Sequence, residues 1–288
     1  MMITDGHIRQ KSNVSGGAVM SELSELIRSR KSVRTFDGNP LSVDDREKLR
    51  QYIFNIGNPF GIQVEFVLLD ADEYGLSSPV INGEKLYVAG KVKKLPYADV
   101  AFGYSFERLV LYAWSLGIGT TWIGGTMKRE IFEKAAGLKE GEMMPCVSPL
   151  GYPAKKRSVR EMLMRRGVGA DKRMPAEKLF FDGMFNAPLC GEKKEAVSEL
   201  IDMVRWAPSA VNKQPWRIIA EDDRYHFYEK KGNGYVSDAT GDLQKIDVGI
   251  ALCHFVMGLE EQGKKPGVMV ADPGIRTPDG VEYIATVQ

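Results

Sequence analysis

The sequence predicts an α+β protein built from two tandem half-copies, each with helices covering a mixed, largely antiparallel sheet. Three observations point there. Amphipathic helical periodicities alternate along the chain with short apolar runs of strand length. The order helix, strand, helix recurs once at a nearly constant offset. A loop over residues 207–216 joins a helix end to a strand start, and only the second copy has it.

Composition narrows the function classes. A chain of 288 residues, 43% hydrophobic, is long enough for real cores in one large or two small domains. A net charge of +1 argues against nucleic acid as a partner. Cys146, Cys190 and Cys253 are odd in number and far apart, which fits a reducing cytoplasm better than a disulfide framework. His7, His226 and His254 lack metal-ligand spacing, so no metal is expected. No apolar run approaches the roughly 20 residues of a membrane span. Residues 1–20 lack a signal-peptide core and read as a disordered leader, with Met20 as an alternative start.

In the first half, residues 21–29 read as a short helix with Leu23, Leu26 and Ile27 on one face. It runs into Arg30-Lys31-Ser32-Val33-Arg34. If extended, this pentapeptide turns Arg30, Ser32 and Arg34 to one side. Two guanidinium groups and a hydroxyl suit a phosphate or another delocalised anion; a solvated basic patch is the competing reading. Ser42 then caps a helix whose buried stripe is Leu49, Tyr52, Ile53 and Ile56. Residues 64–69 and 86–92 read as strands. Residues 100–115 form a helix stopped by Gly117. Gly119-Thr120-Thr121-Trp122-Ile123-Gly124-Gly125 reads as a strand entering a glycine pair, which either lets a flat ligand approach the backbone or makes a tight turn. A helix over 128–136 follows. Lys155 and Arg157 close this half, as further charge for the Arg30 cluster or as a surface run.

The second half repeats this order. At an offset of 148, Pro40-Leu41 meets Pro188-Leu189, and Leu49, Tyr52, Ile53 and Ile56 meet Val197, Leu200, Ile201 and Val204. At 151 the strand ending Leu69-Asp70 meets the one ending Ala220-Glu221, and at 146 Gly103 meets Gly249 and Gly117 meets Gly263. The differences carry the function. Arg34 faces Asp182 and the glycine pair faces Val270-Ala271, so the second copy lacks the anion-binding pattern. Conversely, Ala207-Pro208-Ser209-Ala210-Val211-Asn212-Lys213-Gln214-Pro215-Trp216 is matched in the first copy only by the shorter turn over 57–61. Pro208 stops the helix, and Ser209, Asn212 and Gln214 offer short polar groups and backbone donors.

That loop, the Arg30 to Arg34 string, Trp-Ile-Gly-Gly, and Gly-Tyr-Pro-Ala with its basic tail together resemble the FMN-dependent nitroreductase family, specifically the branch in which two subunits are fused. The resemblance implies a nitroreductase-like fold arranged as an intramolecular pseudo-dimer: residues 21–168 supply the phosphate and Gly-Gly side of one FMN site, and residues 169–288 supply the loop. It implies that Arg30 and Arg157 hold the phosphate with Lys31 and Ser32 beside them, and that Arg34 and Lys155 lie nearer the ring, where Arg34 stabilises reduced flavin. Ile123, Gly124 and Gly125 would face the ring's N5 side, and Pro208, Ser209, Asn212 and Gln214 would line the opposite end. The chain departs from the family over 74–85, too short for the usual extra helix. The implied activity is transfer of hydride from NAD(P)H through FMN to a small electron acceptor, nitroaromatic or quinone, in a ping-pong cycle with no catalytic nucleophile. A non-catalytic flavin carrier or sensor is the alternative. No G-x-G-x-x-G opens a helix, so a separate dinucleotide domain is not expected. The fused arrangement implies a monomer.

Overall fold

The computed structural model describes residues 20–288, so the expected leader falls almost wholly outside the described residues. Ser21 accepts the Ser24 amide and starts α1 (Glu22–Ser29); Ser42 accepts the Asp45 amide and starts α2 (Val43–Phe54). The chain continues through β1 (Val64–Asp70), α3 (Ala71–Tyr74), β2 (Leu86–Lys93), α4 (Ala98–Ser115), α5 (Arg129–Ala135), β3 (Glu142–Met143) and β4 (Val147–Leu150). A connecting stretch carries α6 (Val159–Gly167). The second half contains β5 (Phe180–Asp182), α7 (Gly191–Ala196), α8 (Ser198–Arg205), β6 (Trp216–Glu221) and β7 (Arg224–Lys230). It ends with β8 (Val236–Ser237), β9 (Gly241–Asp242), α9 (Leu243–Glu261), β10 (Val268–Met269) and β11 (Val281–Val287).

Strand β2 is the centre of the first sheet. It pairs antiparallel with β1 on one side and with β3 and β4 on the other. Seven of its eight residues are buried, so it reads as a continuous run rather than an alternation. The second sheet has the order β10-β11-β7-β6-β5, antiparallel except that β5 runs parallel to β6. Among the described residues only this second sheet is mixed; in the first half their parallel contact is confined to the bridges Ser32 to Thr120 and Thr35 to Asn82. The boundary expected at 168/169 falls just past α6, in the stretch that crosses from β4 to β5.

Helices α4 and α9 are buried on nearly all sides and pack against each other at the centre. Glycine makes this approach possible. A Cβ at Gly103 would lie 2.0 Å from the Ile246 carbonyl oxygen, and one at Gly249 would lie 2.2 Å from that of Val100. The two contacts are reciprocal: Gly249 and Ile246 each sit 146 residues after Gly103 and Val100. One apolar core runs through both halves, with Phe102 and Phe106 from one and Trp216, Phe227 and Phe255 from the other. His254 is clasped across it, its ring nitrogens 2.8 Å from the Met203 carbonyl and 3.0 Å from Glu107.

Two sequence expectations change. The stripe from Ala196 to Val204 is not one helix, because Val197 leaves helical geometry (φ −120, ψ 18) and separates α7 from α8. The stretch over 119–125 is not a ladder strand; it makes isolated bridges through Gly119, Thr120 and Ile123. A Cβ at Gly119 would lie 2.8 Å from the Val33 side chain, so glycine there lets the Val33 segment pack against this stretch.

Candidate functional site

Between the two sheet units lies a cleft of about 640 Å³. Its first wall follows α1. Arg30 ends that helix in extended geometry, and the next residues run along Thr120, with the Val33 amide donating to the Thr120 carbonyl at 2.8 Å. Val33 is buried in the protein, which leaves Arg30, Ser32 and Arg34 for the cleft; Lys31 also reaches its wall. The period-two reading of this pentapeptide therefore matches its geometry.

Arg30 is the most constrained of these. It is only 8% exposed, and its Nε finds no hydrogen-bond partner among the described residues. Burial lowers its pKa, with Glu107 opposing and Arg165 adding to the effect. Guanidinium keeps its proton in proteins, so the group remains a buried cation with an unmet donor, a situation that costs ~1–3 kcal/mol or more unless an anion completes it. Arg34 is likewise lowered by burial, opposed by Glu161 and reinforced by Arg165. Arg173 falls to about 10, through burial and then Arg30; its guanidinium lies over the Trp206 ring at 4.4 Å. Like charges on three elements thus converge on one space.

Glu161 organises this side. Only 2% exposed, it accepts the Arg34 amide (3.3 Å) and the Thr35 hydroxyl (2.8 Å), and Arg157 Nε approaches at 3.5 Å. It fastens α6 over the extended segment that carries Arg34. Arg157 reaches the cleft from this position. Lys155 does not; it is exposed in a neighbouring groove with Thr35 and Pro153.

The second wall contains Gly124 and Gly125. Neither has a positive φ, and a Cβ would meet nothing closer than 3.5 Å at Gly124 and nothing within 4 Å at Gly125. Protein packing does not demand glycine here, and the missing side chains leave the cleft wider. Arg129 holds the Gly124 carbonyl at 2.6 Å and the Met144 carbonyl at 2.6 Å. Ile123 faces away and packs in the core beside Tyr87 and Phe132.

The third wall is the loop after α8. Val211, Asn212 and Gln214 have φ of 44, 59 and 51. Left-handed geometry is costly for non-glycine residues, most of all for β-branched Val211, and tertiary hydrogen bonds hold it. Asn212 donates to the carbonyls of Gly169 (2.8 Å) and Lys172 (2.9 Å). Gln214 accepts the Met174 amide at 2.9 Å, and Ser209 Oγ accepts the Gln214 amide at 2.9 Å. Pro208, Ser209 and Asn212 line the cleft, whereas Gln214 is 3% exposed and braces the loop from behind.

Sequence reasoning missed Arg165, Arg173 and Asp247, which line the same cleft. The two arginines belong to the connecting stretch, where basic residues are too dense for sequence to single them out. Asp247 had a visible signal, as a lone acid among Ile246, Val248 and Ile250 in an apolar helix.

The fold and cleft define an α+β protein whose two sheet units enclose an arginine-lined site beneath a strained polar loop. The family model described as "Putative TM nitroreductase" matches residues 22–259, and the chain belongs to that family. A crystal structure of a putative nitroreductase from Thermotoga maritima is similar over 96% of this chain and 98% of that one, at 19% identity and a TM-score of 0.59. A nitroreductase family protein from Clostridium difficile covers 54% of this chain and 94% of its own, at 16% identity and a TM-score of 0.42. An FMN-dependent nitroreductase from Clostridium difficile R20291 covers 49% and 94%, at 15% identity and a TM-score of 0.40. No curated protein matches the chain. Among the described residues no helix is long and apolar enough to cross a membrane.

Proposed function

We propose that this protein is a flavin-dependent oxidoreductase that holds one FMN in the cleft and passes hydride from NAD(P)H to a small nitroaromatic or quinone acceptor. The observation that carries the reading is Arg30: a buried guanidinium with an unmet donor, facing the same cleft as Pro208 and Ser209. Arg30, Ser32 and Arg157 would hold the phosphate, and Arg34 would offset the negative charge of the reduced ring. Gly124 and Gly125 leave room for a flat ring, and Pro208, Ser209 and Asn212 close the far side. The cofactor supplies hydride acceptance and donation; the chain's residues bind it, orient it and exclude water. The reciprocal glycine contacts of α4 and α9 support the tandem half-copy arrangement, with a monomer as the working unit.

Purified protein should be yellow and release about one FMN per chain. Stopped-flow mixing with NADH or NADPH should bleach the flavin, and steady-state plots against donor and acceptor should be parallel. Two FMN per chain would contradict the one-site arrangement. Retained flavin that neither nucleotide reduces would leave a carrier rather than an enzyme.

A further inference from the structure

Asp247 is an acid that the binding role of the cleft does not use. It sits on α9, one turn past Leu243, and lines the cleft beside Ile246, Ile250 and Ala210. It is 4% exposed, and both carboxyl oxygens lie near one donor, the Ala210 amide, at 3.0 and 3.1 Å. The carboxyl therefore faces the space under the loop with hydrogen-bonding capacity to spare. Resting on the function proposed above, we infer that Asp247 is the proton donor to the electron acceptor.

Its surroundings keep the proton on. Burial, first of all, raises its pKa well above the carboxylate range, and the acidic groups Asp242 and Glu229 push the same way. Asp242 caps α9, Glu229 comes from β7, and Asp99 from α4 adds a third acid beside Asp242. Lys245 offsets them in part, and is itself paired with Glu282 at 2.9 Å. Across the cleft Arg30, Arg165 and Arg173 provide the opposing positive charge. The single amide bond from Ala210 is the one hydrogen bond that favours the anion.

The step balances for a quinone. Bound flavin would supply the acceptor with two electrons and one proton as hydride. The Asp247 O–H bond then breaks as an O–H bond forms on the acceptor oxygen, giving hydroquinone, and Asp247 recovers a proton from water at the cleft mouth. A buried neutral acid does this without holding a charge in the cleft beforehand.

Asp247→Asn keeps an acceptor for the Ala210 amide and removes the acid. In flavin-free protein at pH 7.5, infrared spectra should show a protonated-carboxyl band that disappears in D247N. In flavin-loaded protein, reduction by NAD(P)H should be unchanged, while reoxidation by a quinone slows by about 10²-fold and loses its solvent isotope effect. Reoxidation by ferricyanide, which needs no proton, should stay at the wild-type rate, and Asp247→Glu should restore part of the quinone rate. Equal slowing with quinone and ferricyanide would reduce Asp247 to a loop anchor, and an unchanged quinone rate would remove it from the reaction; either overturns the inference while the flavin reading stands. Wild-type protein that retains no flavin would overturn both.

Discussion

The arginine-lined cleft and a second, apolar groove can be compared residue for residue at the sequence offsets. The groove, about 440 Å³, is lined by Pro59, Phe60, Ile62, Leu95 to Tyr97, Val268 and Val270. Val270 stands 146 residues after Gly124, and Leu243 of the cleft stands 146 after Tyr97. Under the proposed duplication the groove is the position of a second site. There Phe60 and Tyr97 stack with ring centroids 6.0 Å apart, and Asn58 turns inward, donating to the Ile62 carbonyl and the Ser105 hydroxyl. In the cleft, Asn212 instead reaches out to Gly169 and Lys172, and Arg30 Nε finds no hydrogen-bond partner among the described residues. Where the groove satisfies itself with its own side chains, the cleft leaves charge and space unmet. The two pockets thus differ in what a few positions carry.

The largest test of that contrast is Arg30→Ala with Arg34→Ala. Charge-assisted hydrogen bonds of ~1.5–3 kcal/mol each imply a 10²- to 10⁴-fold loss of FMN affinity, read by flavin fluorescence titration. Thermal stability should not fall, because unmet buried charge is removed. Phe60→Ala with Tyr97→Ala should leave FMN affinity unchanged; a matching loss from the groove pair would end the distinction.

The shared frame is probed next. Gly103→Ala and Gly249→Ala each force a Cβ onto a backbone oxygen, and overpacking of this kind costs about 3 kcal/mol. Denaturant titrations should give the two variants losses within about 1 kcal/mol of each other. A large asymmetry would break the equivalence of the two halves.

A smaller effect belongs to Glu229, buried on β7. Burial, and then Asp242, raise Glu229 from 4.5 to about 7. Because the folded state binds this proton more tightly than the unfolded chain, its stabilising contribution is complete below pH about 4.5 and is lost as pH rises through about 7. Glu229→Gln should flatten that slope and be more stable than wild type at pH 8, by on the order of 1 kcal/mol, in melts from pH 5 to 8. The smallest effect is expected for Val211→Gly, at an exposed site with φ 44. Relief of left-handed geometry should raise stability by about 0.5–1 kcal/mol, with FMN affinity lowered slightly as the loop loosens.

Much of this contrast was legible from residue order. Ser42 caps the helix that the sequence expects it to cap, and Arg30, Ser32 and Arg34 share a side because an extended chain repeats every two residues. Gln214, Lys155 and Ile123 were read as site residues from their motifs, yet each is turned away. Gln214 is engaged by the Met174 amide, Lys155 lies beyond the turn that brings Arg157 inward, and Ile123 is claimed by the core around Phe132. The helix break at Val197 left no mark in the apolar stripe, because Val197 is itself an apolar residue at helical spacing from Leu200 and Ile201.

The sequence by itself indicated most of the elements, the recurring order of helix, strand and helix, and the anion-seeking string, because these depend on periodicity and spacing among near neighbours. Only the tertiary structure decided which distant groups meet: Arg165 and Arg173 beside Arg30, Glu161 under Arg34, and Asp247 beneath Ala210. Those meetings are set by the close glycine crossing of α4 and α9 and by the path of the connecting stretch. A crossing fixed by two backbone contacts orients every side chain around it, and no local pattern encodes that orientation.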